Sequence, residues 1–248
     1  MLISVANLER FWGIRSPSKI IHVGAHEAEE LQEYERLQWG LTRVVWVEAL
    51  PEKKAELEKM LAGRLHHEVH GVAAWDVSGE NLTFRVTSNS QSSSAFPLQE
   101  HQLVYPQITV VRTVEMRSTA IADLDLWDEQ ASDTFLNLDV QGAELNVLKG
   151  IGDRVVECQA VYCEVSFREL YQGAPLLADI DKHMEKLGFS RVDLVVLRGF
   201  GWGDALYIKN NRYRFSRYPR RFLRITLTSR ALLPIRRIRM ALRGVKTT

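Results

Sequence analysis

Lys19-Ile-Ile-His-Val-Gly-Ala-His26 decides the fold. A short run rich in β-branched apolar residues stops at Gly24-Ala25, the pattern of a buried strand ending in a tight turn. Outward from it, Glu27 to Gln38 sets Ala28, Leu31, Tyr34 and Leu37 at helical spacing, with acids in the first turn where the helix dipole favours them, and Gly40 ends it. Arg43 to Glu48 predicts a second buried strand. Pro51 opens a helix through Leu57 and Leu61 to Gly63, and His67 to Ala74 predicts a third strand. Strand and helix alternating in this way predict a parallel sheet with helices on its faces.

The middle of the chain changes character. Asn81–Thr87 alternates and Thr109–Arg117 is rich in β-branched residues, so both are expected as strands added at a sheet edge. Between them Ser88 to Ala95 is a polar stretch expected to loop over one end of the sheet. The α/β rhythm resumes with a strand over Thr134–Val140, a helix from Ala143 to Lys149 closed by Gly150, and a strand over Ala160–Val165. A helix follows over Leu176–Leu187, closed by Gly188. Val192–Leu197 and Asp204–Lys209 predict a closing hairpin. There is no internal repeat.

At 248 residues, with 46% hydrophobic and 25% charged residues, the chain suits one α/β domain with an appendage and excludes general disorder. Two cysteines, Cys158 and Cys163, exclude a disulfide scaffold and a four-cysteine zinc site, and are expected as core thiols. His66, His67 and His70 suggest a metal cluster, but adjacent strand side chains face opposite ways, so no metal site is assigned. No apolar run is long enough to span a membrane, and MLISVANLER lacks the pattern of a secretion signal, so a cytoplasmic setting is expected.

The net charge of +1 hides a split. Lys209 to Thr248 carries 13 Lys and Arg and no acid, leaving 19 basic and 31 acidic groups in the preceding residues. An acidic body with a basic tail concerns partners rather than fold. Ile235, Ile238, Leu242 and Val245 recur at helical spacing among arginines. A basic amphipathic helix suits an anionic membrane surface, giving a peripheral protein; docking on the acidic body or on a second copy in a homodimer ranks level with it, and RNA ranks behind. The expected organisation is a lead-in over 1–18, a main domain over 19–209 and a tail over 210–248.

In an open parallel sheet, ligands bind beyond the carboxyl ends of the strands, where strand order reverses. Gly24-Ala25-His26, Glu48, Ala74-Trp75-Asp76, Asp139 and Glu164 fall at those ends. Buried acids there must be hydrogen-bonded or serve a ligand. A carboxylate after the second strand can take both hydroxyls of a ribose, and Glu48 is placed for that. A pyrophosphate is not indicated: there is no G-x-G-x-x-G, and Glu27, Glu29 and Glu30 crowd the helix start. S-adenosylmethionine has a ribose and cationic centres and no phosphate.

Ile20 to His26, Trp46 to Pro51, Gly71 to Gly79 and above all Leu136-Asn-Leu-Asp-Val-Gln-Gly-Ala-Glu-Leu-Asn-Val-Leu-Lys-Gly150 resemble the FkbM family of S-adenosylmethionine-dependent methyltransferases. The resemblance implies a Rossmann-like class I methyltransferase of the α/β class, with about seven mostly parallel strands and an antiparallel last one. It also implies S-adenosylmethionine as cofactor, and methylation of a hydroxyl on a sugar, glycan, glycolipid or natural product. This sequence has His22 where the family usually has an acid, Ala28 where it has glycine, and Ala49 where it has proline. A methyltransferase-like binding module without catalysis, recruited through the arginines, is the second reading. Oxidoreduction with a nucleotide is disfavoured by the missing glycine pattern.

Gly24, Ala25, His26, Glu48, Ala49, Ala73, Ala74 and Asp139 form the expected cofactor set. Glu27 or Asp139 would take the cofactor's ammonium in place of the absent acid at 22. A hydroxyl needs a base to become a good nucleophile. Asp139 ranks first, followed by Glu144, Glu164 and His26. Glu144 has a competing role as a helix cap. Ser92, Ser93 and Ser94 are expected to touch or cover the small-molecule or glycan acceptor.

Overall fold

The computed structural model describes residues 1–35, 42–127 and 133–210. A seven-stranded sheet runs in the order β3-β2-β1-β7-β8-β10-β9. Its strands are β1 (Lys19–Val23), β2 (Arg43–Glu48), β3 (His67–Gly71), β7 (Thr134–Leu138), β8 (Cys158–Ser166), β9 (Phe189–Leu197) and β10 (Trp202–Lys209). β1 pairs in parallel with β2 and with β7, and β10 is antiparallel to both β8 and β9. The chain therefore fills the sheet outward from β1 to β3 and then, from β7, in the other direction. Strand order reverses between β1 and β7.

Alternating side chains divide the core. Ile21, Val23, Val45, Val47, Leu136 and Leu138 pack with α5 (Glu144–Ile151) and α6 (Leu177–Lys186) on one face. Ile20, Val44, Trp46 and Phe135 pack on the other with α1 (Val5–Trp12), α2 (Leu31–Tyr34) and α3 (Pro51–Leu61). The period of two along each strand places one apolar set in each layer, as buried parallel strands require. The first eighteen residues are docked on this second face through Ile3, Val5, Leu8 and Ile14.

Several expectations are corrected. The second helix is short: it covers Leu31–Tyr34, because the backbone at His26 and Ala28 takes positive φ (45° and 50°), which breaks helical geometry ahead of it. Its expected end at Gln38 and Gly40 lies outside the described residues. The third strand divides at Val72 into β3 and β4 (Ala73–Trp75). Asn81–Thr87 (β5) and the following strand, β6 (Val110–Ala120), do not extend the main sheet: they form a separate sheet in the order β4-β6-β5. β4 supplies the edge they needed, pairing in parallel with the inner end of β6, whose outer half is exposed. The amphipathic tail and its membrane, RNA and docking roles fall on residues 211–248, outside the described residues.

Gly150 does not close a helix either. It lies inside α5, where an added Cβ would stand 1.9 Å from the Trp75 carbonyl oxygen, so its lack of a side chain lets β4 cross the helix. Gly24 has φ +87°, and a Cβ there would stand 1.9 Å from the carbonyl oxygen of Asp139. The glycine after β1 thus makes room for the neighbouring turn at Asp139.

Candidate active site

A cavity of about 380 Å³ lies over the carboxyl ends of the strands, within the size range of small-molecule sites. Its lining follows the sheet. Ala73 and Ala74 follow β3, Glu48 and Ala49 come from β2, and Gly24 and His26 from β1. Asp139 and Gln141 follow β7, Glu164 is on β8 and Trp202 starts β10. The crevice thus spans the reversal of strand order. It is covered by Asn89 to Ser93 and by α4 (His101–Val104), which contributes His101 and Val104.

Glu48 is 7% exposed. Its Oε2 accepts the His26 backbone N–H at 2.8 Å and its Oε1 accepts that of Leu50 at 2.8 Å. Burial raises its pKa, and these backbone donors work against the rise. Each carboxylate oxygen can accept more than one hydrogen bond, so this orientation leaves capacity for a ligand diol.

Asp139 and Glu164 converge on one amide. Gln141 Nε2 donates to Asp139 Oδ1 at 2.8 Å and to Glu164 Oε1 at 3.1 Å, while its Oε1 accepts the Tyr171 hydroxyl at 2.8 Å. Gln141 has φ 54°, a left-handed turn residue that costs energy in a non-glycine and here aims an amide between two acids. Tyr171, His101, Tyr105, Phe200 and Trp202 line the crevice beside them. Trp202 Nε1 donates to the Tyr105 hydroxyl at 3.2 Å, and the Tyr105 and Phe200 rings stack with centroids 5.7 Å apart. Burial pulls the His101 pKa down to about 4, so its imidazole is neutral near pH 7.

Four predicted residues fall off the lining, and of these Glu27 accepts a hydrogen bond from the Lys53 ammonium at 2.7 Å instead. Ala25 is fully buried in the core on the α1–α3 face. Glu144 is 4% exposed and fastens the turn between β7 and α5: its Oε1 accepts the backbone N–H groups of Val140 and Gly142 at 3.0 and 3.2 Å. These turn amides lie ahead of the N-cap Ala143; they satisfy the buried carboxylate without making it a helix cap, and no proton-transfer role is assigned to it. Ser94 Oγ donates to the Gln141 carbonyl at 2.7 Å and accepts from the Phe96 backbone at 3.0 Å, so it fastens the covering loop. Ser92 and Ser93 do line the crevice, and Ser93 Oγ also accepts the Thr87 backbone N–H at 3.1 Å. His22 lies away from it, between Tyr34 and Trp46, and burial lowers its pKa. The acid missing at position 22 is therefore not missing from the lining. Ala28 adopts the left-handed conformation that glycine would. Burial drives both cysteine thiols up, Cys158 to about 12 and Cys163 well above its usual value, as expected of core thiols.

Burial pushes the Glu144 carboxyl up to about 7. Because this pKa is raised on folding, the associated stability is complete below the ordinary glutamate pKa and is lost as pH rises through 7. Glu144→Gln is expected to remove a loss of about 3 kcal/mol between pH 5 and pH 8. Urea unfolding at the two pH values checks this, with the variant showing the smaller drop.

Gln141, Tyr171, His101, Tyr105 and Trp202 escaped sequence reasoning. Gln141 could have been found: it stands in the turn Asp139-Val-Gln-Gly142, where Gly142 already marks a reversal. The aromatic residues come from loops and from β10, with no local pattern to join them.

The crevice has a diagnostic charge. Glu29, Glu30, Glu48, Asp139 and Glu164 line it, and none of its described lining residues is a lysine or arginine. A phosphate-bearing cofactor lacks a partner here, whereas S-adenosylmethionine, cationic and free of phosphate, fits the donors and acceptors present. A family model for the methyltransferase FkbM domain matches residues 22–191. Among curated proteins no sequence match was found. A methyltransferase FkbM from Methylobacillus flagellatus is similar in structure, with 18% identity and a TM-score of 0.49 over 81% of this chain; the chain spans only 50% of that protein's length. Fibrillarin from Aeropyrum pernix, solved with bound S-adenosyl-L-methionine, has 11% identity and a TM-score of 0.45, covering 79% of this chain and 68% of its own. A precorrin-6y C5,15-methyltransferase from Geobacter metallireducens has 12% identity and a TM-score of 0.42, covering 77% and 78%. With the family model matching more than half of its length, the chain belongs to the FkbM family of S-adenosylmethionine-dependent methyltransferases.

Proposed function

We propose that this methyltransferase methylates a hydroxyl oxygen of a sugar, glycan, glycolipid or related natural product. The observation that carries the reading is the pair Asp139 and Glu164, held on one Gln141 amide at the end of the crevice lined by Tyr105, Tyr171 and Trp202. Aromatic faces suit the C–H face of a sugar ring, and carboxylates suit its hydroxyls. When bound, S-adenosylmethionine supplies an already activated methyl group. Glu48 would hold its ribose and Gly24, Ala49, Ala73 and Ala74 would flank its adenosine. The protein's own work is then alignment, exclusion of water and removal of one proton. Asp139 takes that proton from the acceptor hydroxyl. Ser92 and Ser93 close the crevice from above, and the neutral His101 offers the acceptor a polar atom without adding charge.

Incubating the full chain with methyl-labelled donor and a cell glycan extract tests the acceptor class by mass spectrometry. Label in base-stable methyl ethers of glycans is expected. Label confined to nitrogen, or to protein or nucleic acid, contradicts it.

The ribose role has its own test. Glu48→Gln keeps one oxygen for a backbone donor but loses the charge and the second acceptor. Charge-assisted hydrogen bonds of this kind contribute about 1.5–3 kcal/mol each, so S-adenosylmethionine should bind on the order of 10- to 100-fold more weakly by calorimetry. An unchanged dissociation constant would remove Glu48 from the cofactor site.

A further inference from the structure

Glu29, His26 and Ser90 form a hydrogen-bonded chain that methyl transfer does not require. Glu29 Oε1 lies 2.9 Å from His26 Nδ1, and His26 Nε2 lies 2.7 Å from Ser90 Oγ. All three line the crevice. We propose that they are a second catalytic centre, an acyl-transfer relay in which Ser90 is the nucleophile, His26 its base and Glu29 the carboxylate that orients the base, acting on carboxylic esters small enough to enter the crevice. It goes beyond the methyl-transfer reading and needs no methyl donor.

The geometry is that of an activated nucleophile: hydroxyl against imidazole, imidazole against carboxylate. A clasp between the covering loop and the β1 turn would need only the Ser90 bond. Here the rear of the relay is also built. Gln91 Nε2 donates to Glu29 Oε1 at 2.6 Å, and His26 is held at a left-handed φ of 45° with its backbone N–H on Glu48. Such strain in a non-glycine residue clusters at functional sites.

The charge states agree. Burial alone would raise the Glu29 pKa, but the hydrogen bond and charge of His26 outweigh it and bring it down to about 2. An ionised Glu29 can only accept, so the neutral imidazole carries its proton on Nδ1 and turns the Nε2 lone pair to Ser90. Burial would lower the His26 pKa, and the hydrogen bond and charge of Glu29 more than reverse that.

The step balances. The Ser90 hydroxyl proton passes to His26 Nε2 as Oγ bonds to the acyl carbon and the carbonyl electron pair moves to oxygen. The pair returns, the ester C–O bond breaks, and the alcohol leaves with the proton from His26. Water repeats the sequence, releasing a carboxylic acid and restoring Ser90. Asn89, beside the nucleophile, also lines the crevice and carries an amide able to donate to the transient oxyanion.

A fluorophosphonate probe on the full chain, followed by intact mass and peptide mapping, is the test. One adduct per chain is expected, on Ser90. Its rate should fall on the order of 100-fold or more in His26→Ala and at least about tenfold in Glu29→Gln, with p-nitrophenyl acetate hydrolysis falling in the same order. Ser88→Ala should label at the parent rate. No adduct on Ser90 in protein whose thermal transition shows it folded, an adduct on Ser92 or Ser93 instead, or a Ser90 rate indifferent to both variants overturns the proposal. S-adenosylmethionine calorimetry on the same sample reports separately on the methyltransferase reading.

Discussion

Asp139→Asn is expected to lower methyl transfer by a factor on the order of 10²–10⁴ while S-adenosylmethionine binding changes little. So uneven an effect has a local cause. Asparagine keeps an oxygen in place of Asp139 Oδ1, so the bond from Gln141 Nε2 is retained and the turn after β7 stays fastened to Glu164. What disappears is the ability to take a proton. An activated methyl donor needs little help from the protein, so the base acts on the acceptor hydroxyl alone and its loss falls on turnover. Label incorporation per unit time, with cofactor affinity measured by calorimetry, separates the two. Equal turnover in the variant would transfer the role to Glu164, which the same amide holds at 3.1 Å.

Gly150→Ala reverses the ordinary sign of a helix substitution. On helix propensity alone, alanine inside α5 should gain about 1 kcal/mol. Here its Cβ would stand 1.9 Å from the Trp75 carbonyl oxygen and 3.1 Å from the Asp76 Cα, both backbone atoms that no rotamer change can move aside. Either β4 shifts or the helix does, and overpacking of this kind costs on the order of 3 kcal/mol or more. In a chain of this size that corresponds to a fall in melting temperature of roughly 6–12 °C. Because β4 carries Ala73 and Ala74 into the crevice, cofactor affinity should fall with it. A variant as stable as the parent would show that β4 does not cross α5 so closely.

What was legible in the sequence follows from which forces are local. Parallel strands buried on both faces must be apolar, so Lys19–Val23, Arg43–Glu48 and Thr134–Val140 stand out in the sequence, and the strand-end acids Glu48, Asp139 and Glu164 stand out against them. The small sheet was misplaced because alternation identifies a strand without naming its neighbour: β6 pairs with β4, a three-residue branch of the third strand. Gly150 looked like a helix stop because its reason is a carbonyl from Trp75, distant in the chain. Glu144 carries both a cap and a chemical reading, and the structure shows a third role: its carboxylate accepts the Val140 and Gly142 amides of the turn ahead of α5. The aromatic wall and the Ser90–His26–Glu29 chain depend on loops that meet only once the sheet has formed.

The methyl donor is expected in the crevice between Glu48 and the Asp139–Glu164 pair. A crystal of the full chain soaked with S-adenosylhomocysteine, the demethylated donor, tests it directly. Difference density should place the two ribose hydroxyls on the Glu48 carboxylate, with the sulfur turned toward Asp139 and Glu164. Density elsewhere on the molecule, or a crevice closed by the protein's own side chains with Glu48 facing away from the ligand, would contradict it.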